Sequence, residues 1–574
     1  MHKTILLLFC LSCFAKCFSQ QTRFEKTKGA ETAGYFEVMD FYRMLAKGNR
    51  IVRVKEHGQT DAGYPLHTVL ISNDRIFDPV KWHEANKVVI MINNGIHAGE
   101  PDGIDASMML VRDIKNRKVI LPDNVALAFI PVYNIGGSLN RNSTTRVNQN
   151  GPVEYGFRGN SQNLDLNRDF TKNDSRDSRS FATIFHWLNP DIFIDNHVSD
   201  GADFQHIITL ITTQYEKLGP VQGKWLREVF EPQIYAGMKE KNRDLIPYVE
   251  FDAANFDKGI DMYYETPRFS SGYAALFGCF SFIPETHMLK PYADRVLSTY
   301  QLMTTFIDKA SVNATALLAQ RKVAAEAKKT QQRFPLRWSI DRSANSTIIF
   351  KGYEQDTTLS EATGLKKMFY NRNKPYTKAI KFFDRYKAER EIEKPKAYII
   401  PAGWYPVIER LQLNGVRVQP LLRDTMINVT VYHIEDYKSR PASYEKHHAN
   451  YAVKVSKETE KMKFLKGDYF VEMDQYANRY IIEMLEPTGD DSFFTWNFFD
   501  AVLQRKEGYS DYRWEDIAAG VLKNDATLKE ILDTKKRSDP AFAASSSAIL
   551  NFIYKNSIYA EKAFMRYPVY RIEK

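Results

Sequence analysis

Three side chains far apart in the chain have the types and settings to hold one divalent cation: His97, Glu100 and His197. His97 and Glu100 are separated by two residues in Asn94-Gly95-Ile96-His97-Ala98-Gly99-Glu100-Pro101, after a strand-like run and before a helical one, so both can converge on one ion from a turn. A lone His-x-x-Glu is a common chance match and takes its weight from context. His197 follows Asp191-Ile192-Phe193-Ile194-Asp195-Asn196, at the C-terminal end of a predicted strand, where open α/β sheets place their ligand sites. Two His and one Glu leave a tetrahedral zinc with one open position for water, the pattern of catalytic rather than structural sites. His186, His206 and His287 compete for the third position and rank below His197.

Between these ligands runs Asn163-Leu164-Asp165-Leu166-Asn167-Arg168-Asp169-Phe170, polar with regular apolar spacers. The Arg168 guanidinium offers a planar fork for a carboxylate, and Asn167 adds a neutral donor beside it. Read alone, Arg168 could equally be a surface arginine paired with Asp165 or Asp169.

The elements that must position these groups alternate short β-rich runs with helical patterns from about Val88 to Glu285, which predicts an α/β domain with a mixed, mostly parallel sheet flanked by helices. The predicted strands are Val88–Asn93, Val125–Tyr133, Asp191–Asn196, Ile207–Thr212 and Phe280–Ile283. Ile104, Met108, Val111 and Ile114 recur at helical spacing between the first two and form one apolar face. The Ala-, Lys- and Gln-rich segment Ser311–Gln332 reads as a solvated helix or linker closing this domain. Beyond it, strand-like runs (Ser346–Phe350, Ala397–Ile400, Val416–Pro420, Val429–His433, Tyr469–Glu472) and the helix Ala548–Lys555 predict an α+β accessory domain. The expected division is 1–20, 21–335 and 336–574. His447-His448, amid charged neighbours, reads as surface loop rather than as a metal site.

A chain of 574 residues is too long for one ordinary core, and 44% hydrophobic with 26% charged residues is a folded composition. His2 and Lys3, the apolar run Ile5–Phe14 and the exit near Ser19 read as a secretory signal, so a secreted or periplasmic protein is expected. Lys16 stands where a lipoprotein signal wants a small residue, which ranks a lipid anchor on Cys17 second. Cys10, Cys13 and Cys17 fall in this leader, leaving Cys279 alone in the mature chain, with no intrachain disulfide. No later run is long enough to span a bilayer, so no stable membrane insertion is expected. A net charge of +9 without a long basic block argues against nucleic acid.

Taken in order, His97-x-x-Glu100, Asn167-Arg168, His197 and Glu285 resemble the zinc carboxypeptidase family, the carboxypeptidase A-like metallopeptidases, over roughly residues 35–310. The second half resembles the accessory region of bacterial secreted members. The resemblance implies one zinc ion, peptide or protein C-termini as substrates, and a role for each matched residue. Asn167 and Arg168 would hold the substrate's terminal carboxylate, and Asp165 would orient a zinc-bound histidine, His97. Glu285, in Ser281-Phe282-Ile283-Pro284-Glu285-Thr286-His287, takes the place of the catalytic glutamate, the general base toward water and proton donor to the leaving amine. Arg146 best matches the family's Arg-x-Asn pattern for the oxyanion arginine, with Arg158 as runner-up. The tyrosine that covers the bound C-terminus would be Tyr263, with Tyr264 or Tyr273 as alternatives.

The departures from the pattern are specific. Gly99 stands where digestive members carry an arginine, and Asn134-Ile135-Gly136-Gly137 replaces the family's Asn-Pro-Asp-Gly turn. Pro267-Arg268-Phe269-Ser270-Ser271-Gly272-Tyr273 replaces the usual pocket sequence, so no side-chain preference transfers. Arg268 there suits either an acidic substrate group or a structural salt bridge. A related zinc amidohydrolase, acting as a deacylase or a cell-wall D-amino-acid peptidase, is the second reading. A non-catalytic zinc module would lack the base or a ligand, and neither is missing. His83-Glu84 has no second histidine at the spacing a His-Glu-x-x-His site needs.

Overall fold

A computed structural model describes residues 20–249 and 258–573, and residues 1–19 of the expected leader lie outside them. The strands of the first half are β1 (Val52–Gln59), β2 (Pro65–Ile71), β3 (Val88–Asn94), β4 (Val125–Ile130), β5 (Ile192–Ser199), β6 (Ile208–Thr212), β7 (Leu245–Pro247), β8 (Ile260–Asp261) and β9 (Phe280–His287). All but β8 form one eight-stranded sheet in the order β1-β2-β4-β3-β5-β9-β6-β7. Its centre, β4-β3-β5-β9, is parallel, while β2 and β6 run antiparallel to their inner neighbours. The sheet is thus mixed and mostly parallel, as the alternating pattern predicts.

Every residue of β3, β4 and β5 is buried, which a parallel strand covered on both faces requires. Alternate residues face opposite sides. Val88, Ile90 and Ile92 join Ile104, Met108 and Val111 of helix Asp102–Lys115 and Phe306 of helix Tyr292–Val312 in one apolar cluster. Val89, Met91 and Phe193 join another, with Phe181 and Phe185 of helix Arg176–Leu188 and with Tyr398, Ile400, Tyr480 and Ile481 from the second half. The second half packs on the helices of that face: the Phe277 and Tyr480 rings lie 5.5 Å apart, and Tyr273 donates to Asn414 Oδ1 at 2.7 Å. Residue 335 itself lies inside a strand, Arg333–Ile340, paired with Tyr386–Glu393. The segment read as a solvated helix or linker is the helix Ala314–Thr330, and it is seated, with Leu317, Ala324 and Lys328 buried.

The second half is α+β. Two long antiparallel hairpins, Ser346–Leu359 with Lys366–Phe383 and Thr425–Ser439 with Asn450–Phe464, extend well beyond the short runs read from sequence. A late group of helices has its own small core of Trp514, Leu528, Leu532 and Tyr554. Among the described residues no helix is long and apolar enough to cross a membrane.

Asp105, on helix Asp102–Lys115, is fully buried and accepts from the Tyr292 hydroxyl. Burial pushes its carboxyl up to about 7, against about 3.9 in an unfolded chain. Between those values the folded state holds a proton that the unfolded state has lost, so this group's effect is to lower stability as pH rises through the window. Asp105→Asn is expected to remove that slope, a gain at pH 7.5 relative to pH 4.5 on the order of 2–4 kcal/mol. Urea midpoints at the two pH values check it; an unchanged slope means that the pH dependence lies elsewhere.

Candidate active site

The parallel centre of the sheet delivers the candidate ligands to one edge. β3 ends at Asn94, paired with Asn196, and the chain turns at Gly95, whose φ of +64° is a left-handed conformation that glycine adopts without penalty. His97 and Glu100 lie in the loop that follows, before helix Asp102–Lys115. That helix is anchored to the sheet where Asp102 accepts from Arg295 Nε at 2.8 Å and from the Thr286 hydroxyl at 3.0 Å. On the neighbouring strands His197 is the direct register partner of Glu285, so the two side chains emerge side by side from β5 and β9.

His97, Glu100 and His197 are all buried, and one ligand atom from each lies within 4.8 Å of the others. His97 Nδ1 is 3.1 Å from Glu100 Oε1, and His197 Nδ1 is 3.4 Å from Glu100 Oε2. The far nitrogens are both occupied: His97 Nε2 lies 3.0 Å from Asp165 Oδ1, and His197 Nε2 lies 3.0 Å from Asp195 Oδ2. A carboxylate stands behind each imidazole at Nε2 and leaves Nδ1 facing Glu100, the arrangement metal-ligating histidines adopt. The donor set, two imidazoles and one carboxylate, therefore fits a zinc ion. Asp165 stands behind His97. Asp195 was not singled out from sequence, although its position two residues before His197 on a strand places both side chains on one face.

The charges around this cluster are strongly perturbed. Although burial opposes it, His97 and Arg146 hold the Glu100 carboxyl well below its ordinary range. Asp165 is likewise held low against burial by His97, Arg158 and Arg168. Asp195 raises His197 well above its usual value, again against burial. Glu285 goes the other way: burial pushes it up to about 8, His197 opposes, and Glu100 and Glu265 add to the rise. Glu265 is a buried carboxylate absent from the sequence reading, held by the Ser271 hydroxyl at 2.7 Å and backbone N–H at 2.9 Å.

Both candidate arginines flank the cluster. Arg146 Nη1 donates to Glu100 Oε1 at 2.9 Å, and its Nε donates to Gln149 at 2.6 Å. Arg158 grips Asp165 Oδ2 through Nε (3.0 Å) and Nη2 (2.8 Å), with Nη1 turned to within 3.3 Å of His97 Nδ1. Gly99 acquires a reason here: a Cβ at that position would lie 2.7 Å from Arg146 Cδ and 2.9 Å from the Gly156 carbonyl oxygen. The missing side chain leaves the space through which Arg146 reaches Glu100. Gly99→Ala is expected to cost about 1–3 kcal/mol of stability and to displace Arg146, lowering kcat; a thermal midpoint and kcat both equal to wild type would contradict this.

Asn167 and Arg168 form a short 3-10 turn capped by Asp165. Asn167 Oδ1 accepts from the Ser270 N–H at 3.3 Å, and the Arg168 guanidinium lies 4.3 Å over the Phe269 ring. Tyr263 packs edge-on against Tyr248 at 5.2 Å and lines a small cavity with Tyr215, Glu231 and Phe382. Tyr264 packs on Tyr386. Tyr273 is fully buried, donating to Asn414 Oδ1 at 2.7 Å, and belongs to the core.

The competing histidines are engaged in the fold. His186 meets the Tyr273 hydroxyl at 3.0 Å, His206 Nε2 accepts from the Lys351 N–H at 3.1 Å, and His287 meets the Ala202 carbonyl at 2.9 Å. Burial pulls each down to about 4. Arg268 pairs with Asp491 at 2.8 Å, a structural salt bridge. His447 is half-buried against Asp174 at 2.8 Å rather than free on a surface loop. Cys279 is buried.

The zinc carboxypeptidase family model matches residues 38–187, a segment that contains His97, Glu100, Arg146 and Asp165–Arg168 and ends before His197 and Glu285. Among solved structures, the carboxypeptidase A of Helicoverpa armigera is similar at a TM-score of 0.37 and 17% identity, covering 49% of this chain and 74% of that one. A metallo-carboxypeptidase of Burkholderia cenocepacia is similar at a TM-score of 0.35 and 16% identity, covering 48% and 69%. No curated protein matches the chain. Residues 38–187 are thus similar to a zinc carboxypeptidase domain, and His197 and Glu285 complete the same site from beyond the matched stretch.

Proposed function

We propose that this protein is an exported exopeptidase that removes residues from the free C-termini of peptides, with one zinc ion held by His97, Glu100 and His197. The observation that carries the reading is the pairing of His197 with Glu285 on adjacent parallel strands, beside a ligand cluster whose two imidazoles are each backed by a carboxylate. Zinc bound there supplies Lewis acidity toward the scissile carbonyl and toward water.

The chain's own groups do the rest. Asn167 and Arg168 hold the terminal carboxylate and so set which peptide bond lies at the cluster. Glu285 accepts a proton from the attacking water as the new C–O bond forms, and returns it to the nitrogen as the C–N bond breaks, releasing one amino acid and the shortened peptide. Arg146 steadies the charge that develops on the carbonyl oxygen, and Tyr263 covers the bound carboxylate. Residues 21–335 form the catalytic unit and 336–574 the accessory one, and the basic and apolar leader directs secretion or export to the periplasm.

The test is a mixed peptide library incubated with the zinc-loaded protein, with and without chelator, and read by mass spectrometry. Stepwise loss from the C-terminus that chelator stops is the expected result. Internal cuts or acyl release would replace this reading with the amidohydrolase one. Arg146→Met is expected to lower kcat by about 10²–10³ and Arg158→Met by less; the reverse order would transfer the oxyanion role to Arg158.

A further inference from the structure

The hairpin of the second half that joins Thr425–Ser439 to Asn450–Phe464 sends its connecting loop onto the segment between the metal cluster and the carboxylate anchor. Its tip is a two-residue turn: Tyr444 and His447 exchange backbone hydrogen bonds at 2.8 and 3.0 Å, and the central residues Glu445 and Lys446 have φ of +50° and +70°. Tight hairpin turns with both central residues left-handed favour Asn-Gly. Here a glutamate and a lysine adopt that conformation, and both are engaged across the boundary between the halves. Glu445 Oε2 accepts the backbone N–H of Asp165 at 2.9 Å, and Lys446 Nζ donates to Gln162 Oε1 at 2.7 Å.

The third contact falls on Arg168. Its Nε donates to the Tyr444 hydroxyl at 3.0 Å, and its Nη1 donates to the Asn167 carbonyl at 2.8 Å. These bonds fix the guanidinium plane over the Phe269 ring and leave the remaining Nη hydrogens as the edge that a carboxylate can meet. The Tyr444 ring is itself stacked on the fully buried Trp496, with centroids 6.3 Å apart and an interplanar angle of 20°, so the hydroxyl is held by the core of the second half.

We propose that the Tyr444–His447 turn is part of the substrate site, with Tyr444 as a positioning residue that aims the Arg168 fork at the substrate's terminal carboxylate. This rests on the assignment of Arg168 as the carboxylate anchor, and it gives the second half a direct part in substrate selection. Tyr444→Phe removes the hydroxyl and keeps the ring stack. Glu445→Asn with Lys446→Gly keeps the turn and removes its grip on residues 162 and 165.

The experiment is affinity selection of the mixed peptide library, as free acids and as C-terminal amides, on immobilised zinc-loaded protein in the Glu285→Gln background. The parent is expected to enrich acids over amides, and Tyr444→Phe to reduce that ratio about tenfold, with zinc content and thermal midpoint unchanged. The double variant should lower the ratio in the same direction. A merely structural turn would shift the midpoint and leave the ratio alone, which overturns the proposal. A parent that does not distinguish acids from amides overturns both the anchor assignment and this proposal. Preferential capture of acids by a protein whose wild type cuts no peptide bond would leave the role of Tyr444 standing and remove only the hydrolytic reading.

Discussion

Glu285→Gln is expected to lower kcat by roughly 10²–10⁴-fold while leaving zinc content and the preference for free C-termini in place. Glutamine keeps the size of the side chain beside His197 but cannot accept a proton from water. The raised pKa of Glu285 fits the task, because a base near neutrality can both take a proton and return it. A bound divalent cation would draw that value down, so the acidic limb of kcat/KM should lie below pH 8. Steady-state rates on a peptide from the library decide the matter. A variant that keeps more than a third of wild-type kcat would remove Glu285 from the chemistry and turn attention to Glu265, the other carboxylate acting on the site.

Metal removal should have the second large effect. Dialysis against chelator is expected to abolish turnover, and stoichiometric zinc to restore it. The carboxylates behind the imidazoles make the finer prediction: Asp195→Asn and Asp165→Asn should each weaken zinc binding about 10–100-fold. Asparagine can present its amide nitrogen to Nε2 and so favour the wrong tautomer. Competition against a chromophoric chelator reads this directly. Equal affinities in wild type and Asp195→Asn would mean that His197 does not bind the ion through Nδ1.

Much of this site was legible before any coordinates. The central strands are long apolar runs, and polar residues break the pattern at their C-terminal ends, where His97, Glu100, His197 and Glu285 meet. Asp195 was missed, although its place two residues from His197 on the same strand face was a usable signal. β1 was not predicted because Val52–Gln59 is largely exposed and carries charges that read as loop. The long hairpins of the second half were seen only as short fragments for the same reason: in Lys366–Phe383 only the last few residues are buried. The contact between Arg168 and Tyr444 had no local signal, since 276 residues separate the partners. Side-chain pairing over such a distance follows from how the halves pack, which neither periodicity nor spacing encodes.

The apolar cluster that runs from Val89 and Phe193 to Tyr398 and Tyr480 has a consequence for how the molecule comes apart. A chain ended near residue 335 would bare the apolar sides of the helices on which Leu411 and Tyr480 pack, a broad greasy surface prone to aggregation. The two halves should therefore melt in a single cooperative event, and calorimetry should show one heat-absorption peak for both.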